Sequence, residues 1–406
     1  MEKNILSKNK AISVFLAFAF GYFLSCLLRA ITATLSPILS SEFNLTAGDL
    51  GLLAGGYFIG FASMQIPLGY LLDNYGPKKI VCSFLIIAII GTASFAFAQN
   101  FSSLLISRVL IGIGVSACLM APLTGYRIWY ADDYQQRANS WMLMIASLGF
   151  VFSTLPVQIL LPIYGWRFLF GAITFLILLC IFLILLIIPS WENKKIIIKQ
   201  KQNSGLKEVW KNSFFKSTIP LGLFNYGGIM AVQTLWAGPW MIRVSGYTPL
   251  ESATGLFWIN VTMLLAFFIW GYFLPLFSKK GYEALKLMKF GLPLSYCVLF
   301  LIIILGQKAG AFLLTIYILT SIVLTLAQPA VAMQFSTSRA GTSLTSFNLL
   351  IFLGTFIVQW GIGLIIDVSQ YLGSSEIDSF RISFSFYLFI CLLSYFYFIS
   401  KNRNNG

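Results

Sequence analysis

The stretch GYLLDNYGPKK, from Gly69 to Lys79, is a short polar break between two long apolar runs at about 50–72 and 79–98. Each run has about the 20 residues that a helix needs to cross a lipid bilayer. Within the break, Gly69 permits close approach of a neighbouring helix, and Asp73 can meet the positive end of another. The two lysines favour a cytoplasmic position for the loop. The stretch therefore predicts two membrane-spanning helices joined by a tight cytoplasmic connection.

The composition extends this prediction to the whole chain. Hydrophobic residues make up 58% of the 406 residues and charged residues only 10%, a balance that indicates an integral membrane protein. Apolar runs of spanning length recur from end to end, bounded by charges or turn residues. The sequence predicts an all-α integral membrane protein with twelve transmembrane helices, at about 11–38, 50–72, 79–98, 102–129, 137–162, 166–189, 217–243, 252–277, 285–306, 310–336, 342–367 and 381–400.

The basic residues predict the orientation of these helices. Most of the 27 lysines and arginines fall in loops that lie on one side of the membrane, and such loops stay in the cytoplasm. We therefore expect a multi-pass protein of the bacterial inner membrane with both termini cytoplasmic. The net charge of +14 follows from this topology and from contact with anionic membrane lipid, and it does not indicate a nucleic-acid partner.

Residues 190–216 form the longest polar interruption and contain seven lysines. This basic cytoplasmic linker separates an N-terminal six-helix bundle, residues 1–189, from a C-terminal six-helix bundle, residues 217–406. Two equal halves of this kind are the plan of transporters built from repeats, whose substrate site lies near the middle of the bilayer. An enzyme or a membrane anchor does not need such symmetry.

No residue pattern indicates a metal ion or a cofactor. The chain has no histidine, and its six cysteines all fall inside predicted spans without the spacing of a metal site or a disulfide framework. It also lacks a Gly-rich phosphate loop that would suggest ATP use. We expect a monomeric secondary transporter without catalytic residues.

Arg29 lies about two thirds of the way along the first apolar run. Burial of a guanidinium at that depth is expensive and by default marks a functional site that faces a polar cavity. Tyr22, Ser25, Thr32 and Ser36 follow the same helical face at steps of three and four, which predicts the wall of a substrate pathway. The alternatives are an arginine that snorkels to the headgroups and one that backbone carbonyls satisfy at a helix contact.

The stretch quoted above resembles the loop signature of the major facilitator superfamily, Gly-x-Leu-x-Asp-x-x-Gly-x-basic, in position, spacing and topology. The resemblance implies the major facilitator fold and a loop that latches the outward-open state during transport. The gating residues that it implies are Gly69, Asp73, Gly76 and Lys78. Asn74 and Pro77 occupy positions that are often basic in the family, so we expect fewer polar contacts in the latch.

A second pattern, Arg108-x-x-x-Gly112-x-Gly114 in the fourth span, also resembles the superfamily. Arg108 is expected either to face the substrate cavity or to bond to the backbone as a structural residue. In the family, spans one, four, seven and ten line the cavity, and polar residues lie in those segments. The candidate substrate-binding residues are Tyr22, Ser25, Arg29, Thr32, Arg108, Tyr226, Gln233, Trp236 and Gln328. The alternative for the glutamines and tyrosines is hydrogen bonding between helices.

The setting of Arg29 resembles the anion:cation symporter branch of the superfamily, with Leu28 in the place of an aspartate. A guanidinium suits a carboxylate or a phosphate, so we expect a small organic anion as the substrate. All 13 acidic residues fall in loops or at span ends, which leaves no carboxylate at mid-membrane to carry a proton. The coupling ion is open between a proton and a counter-anion.

Two other functions stay open from the sequence. A multidrug or amphipathic-compound efflux antiporter fits the 16% aromatic content, although the chain lacks the Gly-Pro motif and the membrane acid that such antiporters commonly carry. A transporter-like solute sensor would need a cytoplasmic domain or partner surface, for which the linker and short tails offer little room.

Overall fold

The computed structural model describes residues 5–190, 202–279 and 284–402, which form helices and contain no β-strand. The α-helices of the first half are α1 (Lys8–Phe43), α2 (Ala47–Ser63), α3 (Gln65–Tyr75), α4 (Pro77–Ala96), α5 (Phe101–Val115), α6 (Ala117–Trp129), α7 (Asp132–Phe152) and α8 (Leu155–Ile187). Those of the second half are α9 (Gln202–Lys211), α10 (Ser213–Pro220), α11 (Gly227–Ala231), α12 (Ala237–Pro239), α13 (Pro249–Lys279), α14 (Ala284–Leu305), α15 (Ala311–Thr320), α16 (Ala327–Ala332), α17 (Thr337–Tyr371) and α18 (Glu376–Lys401).

Within these described ranges, nine helices are long and apolar enough to cross a membrane, or ten when α2 and α3, bent by 45°, form one span. The predicted all-α membrane fold is confirmed. Two predicted spans have no separate counterpart among these, because 137–162 falls on α7 and the start of α8, and 217–243 falls on several short helices. The count of twelve stays a prediction.

Gly165 interrupts α8 with a non-helical backbone, at φ 75° and ψ 160°. A positive φ of this kind favours glycine, which has no β-carbon to clash with the chain. The break separates residues 155–164 from residues 166–187, close to the boundary predicted between the fifth and sixth spans.

The segment between α10 and α13 contains three π-helical turns, at Leu221–Tyr226, Val232–Trp236 and Trp240–Val244. Such turns are rare and frequently lie at functional sites. An extra residue in a turn shifts the side chains that follow by about 100° around the axis. The direction in which the side chains of this span point therefore cannot be derived from regular helical spacing.

The chain forms two compact units. Of the described residues, the first unit holds 5–31 and 56–190, and the second holds 32–55 and 202–402. The end of α1 and the start of α2 therefore belong with the second half of the chain. The division into bundles 1–189 and 217–406 stays a prediction, and residues 191–201 of the predicted linker lie outside the described residues.

Helix α2 packs against α5 in the first unit through Gly56, Gly60 and Gly112, a contact that we call the α2–α5 seam. A β-carbon added to Gly60 would lie 2.3 Å from the Val109 carbonyl oxygen. One added to Gly112 would lie 2.0 Å from the Tyr57 carbonyl oxygen. Only glycine permits the two backbones to approach this closely, as small residues do between membrane helices.

The first turns of α2 pack against α17 in the second unit, a contact that we call the α2–α17 seam. A β-carbon added to Gly51 would lie 2.4 Å from the Gln359 carbonyl oxygen, and one added to Gly363 would lie 2.3 Å from that of Ala47. The glycines of this seam are Gly48, Gly51, Gly55 and Gly363. One helix thus carries two glycine seams, which meet between residues 55 and 56.

Candidate functional site

The predicted polar stripe lies in α1, and all of its residues are buried. Arg29 is 6% exposed, and Ser25 is fully enclosed. Tyr22, Ser25 and Arg29 belong to the first unit, whereas Thr32 is the first residue of the second unit. An arginine snorkelling to the headgroups would keep its guanidinium in contact with solvent, so the burial of Arg29 disfavours that alternative.

The Arg29 guanidinium lies among three aromatic rings. Its central carbon is 5.2 Å from the ring centre of Phe61, 5.9 Å from that of Phe150 and 6.0 Å from that of Tyr57. These distances suit cation–π attraction, which strengthens where water is excluded. The hydroxyl of Tyr22 also lies within electrostatic reach of the guanidinium. The rings thus surround a charge that is buried in the first unit.

The acidic residues in the described part of this unit lie near helix ends. Those in its described part are Asp73, near the end of α3, and Asp132 and Asp133, at the start of α7. None of these three residues stands in the middle of a spanning helix.

Arg108, in α5, is fully buried. Its Nη1 donates a hydrogen bond of 2.8 Å to the Leu28 carbonyl oxygen. For this nitrogen, Arg108 therefore bonds to the backbone, as one of the two sequence-based alternatives expected. Its Nε and Nη2 have no hydrogen-bond partner among the residues that the structure describes. Unsatisfied buried donors on a charged group are costly, so each marks a place where a ligand acceptor would be stabilised.

Tyr57 joins the two arginines, and sequence reasoning did not identify it. Its ring centre is 5.3 Å from the central guanidinium carbon of Arg108, compared with 6.0 Å for Arg29. The Tyr57 hydroxyl donates to the Ser25 carbonyl oxygen at 3.1 Å and lies 3.4 Å from the Ser25 hydroxyl. A tyrosine beside two glycines in an apolar run resembles a packing residue, so only its tertiary contacts indicate a role.

In the second unit, the candidate residues bond between helices. Gln233 donates to the Asn260 side-chain oxygen at 3.0 Å, and Gln328 donates to that of Asn348. These are the helix-to-helix bonds that the sequence left as the alternative. Tyr226 is half-buried.

Trp236 is fully buried, and its Nε1 donates to the Gln359 carbonyl oxygen at 3.0 Å. The Gln359 side-chain amide in turn donates to the Thr234 hydroxyl at 3.0 Å. These bonds tie a π-helical turn of the seventh predicted span to α17, which holds Trp236 in one position.

A cavity of about 550 Å³ lies beside Trp236 in the second unit. It contains three charged residues that were not candidates, of which Arg243 and Glu376 face each other at 3.6 Å. The third is Asp367, in α17. The lining residues are Ser40, Leu45, Thr46, Ala47, Leu50, Trp236, Pro239, Arg243, Ile366, Asp367, Gln370, Tyr371, Glu376 and Phe380.

The residues that the resemblance assigned to a gate lie around the α3–α4 connection. Gly76 adopts a φ of 79° between the helices, which explains the glycine. The Lys78 ammonium donates to the carbonyl oxygens of Leu185 and Ile188, both at 2.7 Å, and so caps the end of α8. Asp73 is exposed, and Gly69 is half-buried.

The model of the Major Facilitator Superfamily matches residues 18–359 of the chain. Among curated relatives, the uncharacterized transporter YybO of Bacillus subtilis is 24% identical over 70% of this chain and 67% of its own length. The probable sulfoacetate transporter SauU of Cupriavidus necator is 25% identical over 41% of this chain and 38% of its own length. The quinolone resistance protein NorA of Staphylococcus aureus is 30% identical over 32% of this chain and 34% of its own length. For the first of these, the alignment reaches about two thirds of the relative, and for the others about a third.

Two solved structures share the fold over nearly all of the chain. A bacterial homolog to the human lysosomal transporter Spinster, in an inward-facing and unoccupied conformation, superposes with a TM-score of 0.80 at 18% identity, covering 98% of both chains. A D-xylose–proton symporter superposes with a TM-score of 0.76 at 14% identity, covering 95% of this chain and 97% of the symporter. At these identities the likeness concerns the fold alone.

Proposed function

The chain belongs to the Major Facilitator Superfamily, and from that premise we propose that it imports a small organic anion across the bacterial inner membrane by alternating access between two six-helix bundles. Membership makes it a multi-pass membrane transporter and not an enzyme. The observation that supports an anion is the pair of buried guanidinium groups, Arg29 and Arg108, whose central carbons lie 6.0 and 5.3 Å from the Tyr57 ring centre.

The electrostatics of this site favour an anion over a cation or a neutral solute. Two permanent positive charges lie in the interior of a unit whose described carboxylates stand near helix ends. A bound carboxylate would add an attraction of opposite sign to both guanidinium groups. The unsatisfied donors of Arg108 suit the two-oxygen geometry of such a group.

Two relatives support the class of substrate. The sulfoacetate transporter and the niacin transporter NiaP of Acinetobacter baylyi, which is 23% identical over 57% of this chain, are both named for organic acids. In our proposal Arg29 is the anion anchor and Arg108 supplies further donors, while Tyr22, Ser25, Thr32, Tyr226, Gln233, Trp236 and Gln328 shape the pathway. We assign the gate to Gly69, Asp73, Gly76 and Lys78.

Efflux of an amphipathic compound is the second candidate. The three aromatic rings around Arg29 favour it, because they would also hold an apolar ring, and the quinolone resistance protein is among the relatives. We propose further that the protein acts as a monomer with both termini in the cytoplasm, and that a proton or a counter-anion is exchanged or carried with the substrate.

The test is a thermal-stability screen of the detergent-purified protein with sulfoacetate, nicotinate, mono- and dicarboxylates, and lipophilic cations. We expect an organic acid to raise the melting temperature, because a ligand of the folded state stabilises it. In Arg29→Gln this shift should vanish, since losing charge-assisted bonds costs about 2 kcal/mol, or roughly thirtyfold in Kd. Uptake of the same acid into proteoliposomes would separate transport from solute sensing.

Arg167→Gln is the matched control. Arg167 also belongs to the first unit and also lies over an aromatic ring, that of Trp166, but it is exposed and bonds the Ala98 carbonyl. This variant should keep the full shift with the acid. If Arg29→Gln keeps it too, the anion proposal is wrong. If only lipophilic cations stabilise the protein, and equally in both variants, efflux replaces it.

A further inference from the structure

Asp367, in α17, accepts hydrogen bonds from the first turn of α2, about 320 positions away in the sequence. Its Oδ1 accepts a hydrogen bond from the Ala47 amide at 2.9 Å, and its Oδ2 accepts one from the Gly48 amide at 2.8 Å. Ala47 is the first residue of α2. The first amides of a helix have no partner within it and carry its positive partial charge, so a carboxylate is the most favourable cap.

The same end of α2 also has a cap of its own. The Asp49 carboxylate accepts from the Thr46 amide at 3.2 Å, and the Thr46 hydroxyl accepts from the Asp49 amide at 3.1 Å. Both of these hydrogen bonds lie within α2 and its cap, so they stay intact when α2 moves relative to α17. The bonds to Asp367 are therefore additional to what the helix needs to start, and they serve to join two helices.

Glycines make the joint fit closely. A β-carbon on Gly48 would lie 2.6 Å from the Asp367 Oδ2, and one on Gly363 would lie 2.3 Å from the Ala47 carbonyl oxygen. The carboxylate thus reaches the amides only because the α2–α17 seam has no side chains in the way. Any separation of the two helices at this end breaks both hydrogen bonds together.

We propose that Asp367 is a detachable cap, a positioning residue of the transport cycle that holds α2 on α17 and releases it when this end of the protein opens. The cavity of about 550 Å³ beside Asp367 lets water replace the broken bonds on the carboxylate and on the amides. Arg243 and Glu376 line the same cavity and pair with each other. Their charges offset each other, so neither is left over to pair with the released carboxylate.

Asp73 lies at the opposite end of the α2–α3 pair, where the family resemblance assigns a latch. Asp73 is exposed, while Asp367 holds two amides. The two aspartates, one at each end of the α2–α3 pair, would then hold their contacts in alternate states of the transport cycle. This inference rests on the alternating access of the proposed function and does not depend on the anion.

The test measures the distance between nitroxide labels at S41C, on the exposed end of α1, and L372C, which follows α17. The exposed Cys297 is replaced by serine in this background. Pulsed electron paramagnetic resonance on the parent, without ligand, should give a population at short distance. In Asp367→Ala we expect the ratio of long to short distances to rise about tenfold or more, the size expected for loss of a charge-assisted pair of bonds.

Two further variants act on the same bonds with less disturbance. Asp367→Asn keeps one acceptor oxygen and should give an intermediate ratio. Ala47→Pro removes a single amide donor at the first helical position, where proline is tolerated, and should shift the ratio in the same direction.

Asp378→Ala is the control. Asp378 also accepts a bond at the start of a helix, from the Ser375 hydroxyl, but it lies in α18 and its ion pair is with Arg381 of the same helix. It should leave the distances unchanged. If Asp367→Ala and Ala47→Pro both give the parent distribution, the detachable cap is wrong. Failure of the anion proposal would appear separately, as acid binding that survives Arg29→Gln, with these distances unaffected.

Discussion

The two glycine seams of α2 are built alike but differ in what surrounds them. Both bring backbone to within contact of backbone, with Gly112 against Tyr57 at one and Gly51 against Gln359 at the other. The α2–α5 seam continues into buried aromatic rings and the enclosed Arg108, whereas the α2–α17 seam ends at Asp367 and a polar cavity.

The difference indicates which contact can open. Separating α2 from α5 would expose buried apolar surface, for which water offers no compensating bond. Separating α2 from α17 would first break two hydrogen bonds that water can replace. Close packing alone therefore does not distinguish a lasting helix contact from a reversible one, and the polarity of its edge does.

The largest expected effect is at the α2–α5 seam. Gly112→Leu should prevent folding, because the new side chain starts 2.0 Å from the Tyr57 carbonyl oxygen and overpacking of this kind costs roughly 3 kcal/mol or more. Size-exclusion chromatography of a fluorescent fusion should show little monodisperse protein. Gly171→Leu is the control, since a β-carbon there meets nothing within 4 Å, and it should leave the profile unchanged.

The same substitution at the α2–α17 seam should have a different result. Gly51→Leu places its β-carbon 2.4 Å from the Gln359 carbonyl oxygen, yet we expect folded protein in which this seam stays apart. The nitroxide pair at positions 41 and 372 should then report long distances. Loss of monodisperse protein equal to that of Gly112→Leu would remove the distinction between the seams.

The smallest expected effect comes from alanine substitutions at two adjacent glycines, Gly55 and Gly56. A β-carbon on Gly56 would lie 2.9 Å from the end of the Leu105 side chain, and one on Gly55 would lie 2.8 Å from the Phe356 ring. Side-chain ends can shift, so each alanine should cost about 1 kcal/mol. Gly56→Ala should lower the melting temperature, whereas Gly55→Ala should mainly raise the long-distance population. Identical responses on both measurements would mean that the two seams act as one.

Part of the candidate site could be predicted from local pattern. The steps of three and four that place Ser25 and Arg29 on one face of α1 correspond to a buried stripe in the structure, because α1 is a continuous helix. The seventh predicted span could not be treated in this way. Its π-helical turns shift the register, and the bond from Trp236 to Gln359 depends on where α17 lies.

The sequence by itself determined the all-α membrane fold, the family and the unusual arginine in the first span, because hydropathy, charge placement and a short loop motif are local properties. Only the tertiary structure decided that two guanidinium groups lie close to the Tyr57 ring, that the Leu28 carbonyl accepts a bond from Arg108, and that Asp367 caps α2. Each of these contacts joins residues on different helices, and no spacing along the chain encodes them. They depend on how closely glycine lets the helices approach, a distance set by packing.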